Sequence, residues 1–198
     1  GKIVDDDEVE AWTDERDRFQ PHFSTADGVS PRALPGTENA AHMSTGLEHN
    51  ALGRRTEDTD VRIEQVDKRN RKVETAQNEE DWSPREFGNP ESDNLVISWG
   101  SNEGAMREAL DYLDEEDIDV RFLSVPYIFP RPDLSDDIDA ADEVIVVECN
   151  ESGQFADILE HDALSRVKRV NKYNGVRFKA DELAEEIEAK LQSEEVSA

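Results

Sequence analysis

Cysteine is almost missing from this chain: Cys149 stands alone among 198 residues. A single thiol excludes an internal disulfide, and with only four histidines it excludes a clustered zinc or iron–sulfur site built from this chain by itself. Positive charge is scarce too, with 22 Lys and Arg against 49 Asp and Glu and a net charge of -27. That balance excludes a broad basic face for a nucleic-acid backbone. No stretch approaches the roughly 18 apolar residues of a membrane-spanning helix. The opening GKIVDDDEVEAW has neither the apolar centre nor the small-residue cleavage site of a signal peptide, so no membrane partner and a cytoplasmic setting are expected. It also has no initiator Met, which fits either a processed or tagged start or a piece of a longer chain.

Acid-rich chains are often disordered, but strongly periodic apolar segments in the second half contradict that here. The composition reads as a folded protein with an acid-coated surface. Proteins of very salty cytoplasm look like this, because a Debye length of about 3 Å at 1 M salt removes much of the self-repulsion. A halophilic source is expected.

What is present is organised around residues 95–125, LVISWGSNEGAMREALDYLDEEDIDVRFLSV. The apolar run Leu95–Trp99 meets Gly100, and then Met106, Ala109, Leu110 and Leu113 recur at helical spacing. Val120–Val125 reads as a second strand. This strand–helix–strand unit predicts parallel neighbours with a right-handed crossover. After the proline-broken connector Pro126–Pro132, Asp133 is a candidate N-cap for a short helix to Ala140. Glu143–Glu148 reads as a strand buried on both faces. Phe155, Ile158 and Leu159 mark a helix, Val167–Tyr173 an edge strand, and Leu183, Ala184, Ile187 and Leu191 a last helix. The tail SEEVSA is expected to fray. The fold class is α/β: a three-layer sheet domain over 94–198, preceded by an N-terminal extension over 1–93.

That extension has several characters. Val9, Trp12, Arg16 and Phe19 are spaced for one short amphipathic helix. Pro21–Gly53 carries too many Gly and Pro for a long element, yet keeps the apolar anchors Phe23, Val29, Leu34, Met43 and Leu47. An ordered, irregular arm lying across a partner surface is expected. Thr56–Asn78 suits an exposed helix whose second half carries a basic stripe, Lys68, Arg69, Arg71 and Lys72. The stripe is either a solvated face balancing nearby acids or an inter-subunit or anionic-ligand contact. Glu79–Asp93 is a candidate linker.

Ligands of open α/β sheets sit beyond the carboxyl ends of the strands. Two turns there supply candidate cofactor-binding residues: Gly100, Ser101 and Asn102, and Asn150 with Gly153. The GSNEG turn is either phosphate-binding or simply a tight strand-to-helix turn capped by Ser101 or Asn102. His22 reads as a surface residue, and the spacing of His42 and His49 matches no metal-ligand pattern. Cys149, among acids, is expected to be inert. No catalytic constellation is evident.

Five segments occur in a telling order: TADGVSPRALPG (residues 25–36), GLEHNALG (46–53), DKRNRKVE (67–74), ISWGSNEGAMREAL (97–110) and VIVVECNESGQFADIL (144–159). Together they resemble the C-terminal part of the alpha subunit of 2-oxoacid:ferredoxin oxidoreductases of the pyruvate or 2-oxoglutarate type, with the charge suggesting a haloarchaeal member. The resemblance implies a transketolase C-terminal-like domain from Asn94 and, before it, the end of a pyrimidine-binding-type domain. It implies an enzyme that uses thiamine diphosphate, coenzyme A and iron–sulfur clusters to decarboxylate a 2-oxoacid and reduce ferredoxin. The beta subunit would carry the diphosphate and a cluster. This chain would bind none of these alone and would act as scaffold and interface, with Arg32, His49, Lys68 and Arg69 at subunit contacts. A free-standing nucleotide- or coenzyme A-binding module is the alternative.

Overall fold

A computed structural model of the chain describes residues 2–79, 82–163 and 167–193. They form two compact units, 1–81 and 82–198.

In the first unit, β1 (Ile3–Val4) pairs in parallel with β2 (Arg32–Ala33). A 3-10 helix over Asp6–Trp12 lies between them in sequence, and Val4, Val9, Phe19, Ala33 and Ala40 make a small core with Trp12 packed on it. The helix expected to reach Phe19 stops at Trp12. Asp14 accepts bonds from the backbone N–H of Arg16 and Arg18 at 3.0 Å each and also pairs with the Arg18 guanidinium. Such local side-chain bonding competes with helix. Phe19 returns beside Thr13 as an antiparallel bridge. The long helix α1 (Thr59–Glu79) follows the arm. Asp58 caps it, accepting the N–H groups of Asp60 and Val61 at 3.0 and 3.1 Å.

The faces of α1 invert the usual pattern. Gln65 and Lys68 are buried at 1% and 5% exposure, while Ile63 and Val66 face outward. The basic stripe is therefore not wholly a solvated face: Lys68 is covered by the arm, while Lys72 stays exposed.

The second unit is the expected three-layer α/β domain. In chain order come β3 (Arg85–Gly88), β4 (Asn94–Trp99), α2 (Glu103–Glu115), β5 (Arg121–Val125), α3 (Ser135–Ala140), β6 (Glu143–Glu148), α4 (Gln154–Ala163), β7 (Lys168–Asn171) and α5 (Ala180–Gln192). The sheet order is β3-β5-β4-β6-β7, parallel from β5 to β7, with β3 antiparallel on β5. One face packs Val96, Phe122 and Ile145 against α2 and α5 through Met106, Leu113, Leu183 and Ile187. The other packs Leu95, Ile97 and Val146 against α3 and α4 through Ile138, Phe155 and Leu159. Each fully buried aliphatic or aromatic side chain contributes about 1.5–3 kcal/mol to this core.

Three expectations need correcting. The linker assigned to 79–93 contains β3, so the boundary expected at 93/94 falls between 81 and 82. Arg85–Gly88 is too short and too polar to announce itself; pairing with β5 makes it a strand. Asp133 does not hold the N-cap position, which is Leu134, although the Asp133 carboxylate accepts the Ser135 N–H at 3.0 Å. Ile158 is 43% exposed, and Ala156 takes its place on the buried face of α4. The tail expected to fray lies, from 194 on, outside the described residues.

Candidate functional site

The four residues expected at subunit contacts, Arg32, His49, Lys68 and Arg69, line one cleft of about 480 Å³ in the first unit. The arm builds this cleft by strapping itself along α1. Thr25–Arg32 is the first strap. Gly28 turns at φ +75, and a Cβ there would stand 2.4 Å from the Lys72 backbone nitrogen and 2.5 Å from the Lys68 carbonyl oxygen. Only glycine tolerates both that conformation and that approach. Just before it, Thr75 Oγ1 donates to the Asp27 carbonyl at 2.7 Å, and Arg71 donates to Ser24 Oγ and the Thr25 carbonyl at 3.1 and 3.2 Å.

Glu48 and His49 form the second strap. Arg69 donates to both Glu48 oxygens at 3.1 and 2.9 Å, a bidentate pair that holds the carboxyl down at about 2. His49 stacks on His22 with ring centroids 3.8 Å apart. Between the straps the Lys68 ammonium donates to the His22 carbonyl at 3.1 Å and to Ser30 Oγ at 2.9 Å. Gln65 Nε2 donates to the same carbonyl at 3.2 Å.

The electrostatics follow from crowding. Burial, then the neighbouring Lys72 and Arg69, lower Lys68 to about 8. Burial, then His49 and Lys68, lower His22 to about 4, so its ring is neutral at pH 7. His22 is not the surface residue its sequence context suggests. Lys72, part of the basic stripe, lines the site as well, and His22 joins it without any signal in its own neighbourhood; the available signal was the recurrence of His and basic residues in segments that the fold brings together.

The arm thus lies along a helix of its own chain. Of its apolar anchors, Val29 lines the cleft, while Phe23, Leu34, Met43 and Leu47 remain exposed.

The second group of candidates lies in the other unit, beyond the carboxyl ends of β4 and β6. There the strand order reverses, and α2 and α4 leave on opposite faces, the arrangement that opens a crevice in α/β sheets. Gly100, Ser101 and Asn102 form a 3-10 turn, and neither Ser101 nor Asn102 caps α2 through its side chain. Asn102 instead accepts the Cys149 thiol at 3.2 Å, joining the two turns.

At the β6 turn the chain supplies its own anion. Glu148, fully buried, accepts the N–H of Phe155 at 3.0 Å and of Ala156 at 3.1 Å, and Asn150 accepts those of Gly153 and Gln154 at 2.7 and 3.2 Å. The first donors of α4, which a phosphate would need, are taken. Gly153 turns at φ +72 beside Arg169, whose guanidinium is itself engaged with Asp157, Glu160 and the Ser152 carbonyl. Asn150 and Gly153 therefore fit a cap on the helix better than a cofactor contact. Glu148 was missed because it reads as the end of an apolar run.

No family model matches the chain. The alpha subunit of 2-oxoacid:ferredoxin oxidoreductase 1 from Sulfurisphaera tokodaii is 33% identical over 190 residues, covering 93% of this chain and 28% of that protein. The corresponding alpha subunit of Saccharolobus solfataricus is 31% identical over 200 residues, covering 98% of this chain and 30% of that protein. Among solved structures, 2-oxoglutarate:ferredoxin oxidoreductase from Magnetococcus marinus, with 2-oxoglutarate, coenzyme A and succinyl-CoA bound, matches with a TM-score of 0.64 and 25% identity. That match covers 90% of this chain and 32% of the other. The chain spans under a third of the length of these curated relatives. Along nearly its whole length it is a homologue of part of the alpha subunits of 2-oxoacid:ferredoxin oxidoreductases.

Proposed function

We propose that this chain is part of the alpha subunit of a thiamine diphosphate-dependent 2-oxoacid:ferredoxin oxidoreductase, in which it serves as scaffold and subunit interface. In that reading the whole enzyme decarboxylates a 2-oxoacid, transfers the acyl group to coenzyme A and passes the electrons to ferredoxin. The observation that carries it is the 33% identity maintained over 93% of the chain.

The residues present match a supporting role. One cysteine does not fit an iron–sulfur cluster. The α4 N-terminus does not fit the diphosphate of thiamine, because Glu148 and Asn150 already hold its donors. Cluster and diphosphate are therefore assigned to other parts of the enzyme, the beta subunit first. Exposed Phe23, Leu34, Met43 and Leu47 on the arm, and Tyr127, Ile128 and Phe129 after β5, offer apolar surface for such neighbours. Arg32 and His49 keep their proposed place at the contact, and the setting is a cytoplasmic enzyme.

The test is reconstitution: the chain is co-expressed with the remainder of the alpha subunit and with the beta subunit. A complex that reduces ferredoxin with a 2-oxoacid only when the chain is present is expected. Elution of the chain alone, or 2-oxoacid oxidation by the chain unaided, would refute the reading.

The acid-coated surface supports a source in concentrated salt, on composition alone. Raising KCl from about 0.1 to 2 M should raise the melting temperature of the chain, as screening of its net -27 charge predicts. Flat or falling melting temperatures would remove that part.

A further inference from the structure

We propose that the cleft between the arm and α1 binds a phosphate-bearing small molecule. This stands on the cleft's own chemistry and does not need the assembly proposed above.

The charge distribution is the first argument. Acids outnumber bases by 49 to 22 in the whole chain, yet the residues lining the cleft include Arg32, Lys68, Arg69 and Lys72 and no carboxylate. Gathering cations in one concavity raises the local affinity for anions far above what the net charge would allow. It also has a cost: after burial, which is the largest cause, the neighbouring Lys72 and Arg69 help to lower Lys68 to about 8. A bound anion offsets the part of that cost that comes from like charges.

The donor inventory is the second argument. Arg69 is neutralised by Glu48, but the Lys68 ammonium spends two of its N–H groups on His22 and Ser30 and keeps a third. Lys72 and Arg32 form no ion pair among the described residues, and both are exposed at the rim. His22 Nε2 and His49 Nδ1 are buried ring nitrogens without a hydrogen-bond partner among the described residues. Unmet buried polar atoms of this kind call for a ligand or water.

The third argument selects the class of anion. Three cations that form no ion pair among the described residues overcompensate a monocarboxylate, whereas a phosphate dianion or diphosphate matches them and gathers in one group oxygens enough for Lys68, Lys72, Arg32 and a ring N–H. A volume of about 480 Å³ holds more than one phosphate group and lies in the usual range for small-molecule sites.

The experiment titrates inorganic pyrophosphate, coenzyme A and 2-oxoglutarate separately into the 198-residue chain by calorimetry, with KCl holding ionic strength constant. Histidine ring resonances are followed by NMR in parallel. Expected is saturable binding of pyrophosphate at least about tenfold tighter than of 2-oxoglutarate, with the His22 ring perturbed. Displacement of pyrophosphate by coenzyme A would identify a nucleotide-bearing ligand, and its absence a simpler phosphate; either supports the class. The double change Arg32→Gln with Lys72→Gln, at rim positions that carry no core packing, should weaken pyrophosphate by about tenfold or more. Equal binding of all three anions, a preference for 2-oxoglutarate, an unmoved His22 ring, or undiminished affinity in the double variant would each overturn the proposal.

Discussion

The two units of this protein are held together by different means. The second unit is built on two continuous apolar clusters, one on each face of a five-stranded sheet. The first has a small apolar core near its start, and its arm is tied to α1 by Lys68, Arg69, Arg71 and Thr75 acting on carbonyls, hydroxyls and a carboxylate. Apolar burial is non-directional and tolerates local change, whereas polar straps depend on each donor meeting its acceptor. The first unit therefore has the more specific surface, and the second the more robust fold.

The largest expected effect breaks the robust side. Leu183→Ala empties a fully buried position on α5 and should cost about 2–5 kcal/mol in chemical denaturation, read by probes in the second unit. A loss under 1 kcal/mol would show that the apolar clusters matter less than their burial implies.

Next comes the close approach in the arm. Gly28→Val should release the first strap, combining a left-handed conformation that costs about 1–2 kcal/mol with a clash against the α1 backbone. Hydrogen exchange should report lost protection around Thr75 with the second unit unchanged. Retained protection would contradict the strap.

Glu148→Gln sharpens the comparison by testing a polar tie inside the apolar unit. It leaves one N–H of Phe155 or Ala156 facing an amide NH₂, at a cost of about 1–3 kcal/mol. If melting were unaffected, Glu148 would not be the cap.

The smallest effect is a difference in acid sensitivity. His22 binds its proton near 6.5 when unfolded and at about 4 when folded, so the unfolded chain takes up protons first and stability falls as pH drops through that window. Glu48, held at about 2 by Arg69, adds a further loss below its ordinary 4.5. In the second unit the lowered groups Asp133 and Glu182 act only below 3.8 and 4.5. Amide exchange should thus loosen the first unit at a higher pH than the second, and His22→Gln should narrow that gap. Simultaneous loosening of both units would dissolve the distinction.

Much of the second unit was legible in the chain. Met106, Ala109 and Leu113 at helical spacing gave α2, Glu143–Glu148 gave a buried strand, and Leu183, Ala184 and Ile187 gave the face of α5. Each pattern is local and repeats at the period of its element. β3 was not legible, since Arg85–Gly88 has no periodicity and becomes a strand only by joining β5. The cleft was half legible. Its motifs could be read, but Arg69 and Glu48 are 21 positions apart and Lys68 and His22 are 46 apart, with mostly irregular chain between. Nothing local states that Lys68 points under the arm rather than into water.

By itself, then, the sequence determined the α/β domain, the parallel pairing of its first strand–helix–strand unit and the kinship to oxidoreductase alpha subunits, because these follow from hydrophobic period and from motif order. Only the tertiary structure decided that the basic stripe of α1 is a clasp, that Glu148 closes its own helix, and that the scattered residues Arg32, His49, Lys68 and Arg69 line a single cleft. Such outcomes depend on which polar groups meet across long sequence separations. They are settled by the requirement that buried donors and acceptors find partners, and no short-range pattern encodes it.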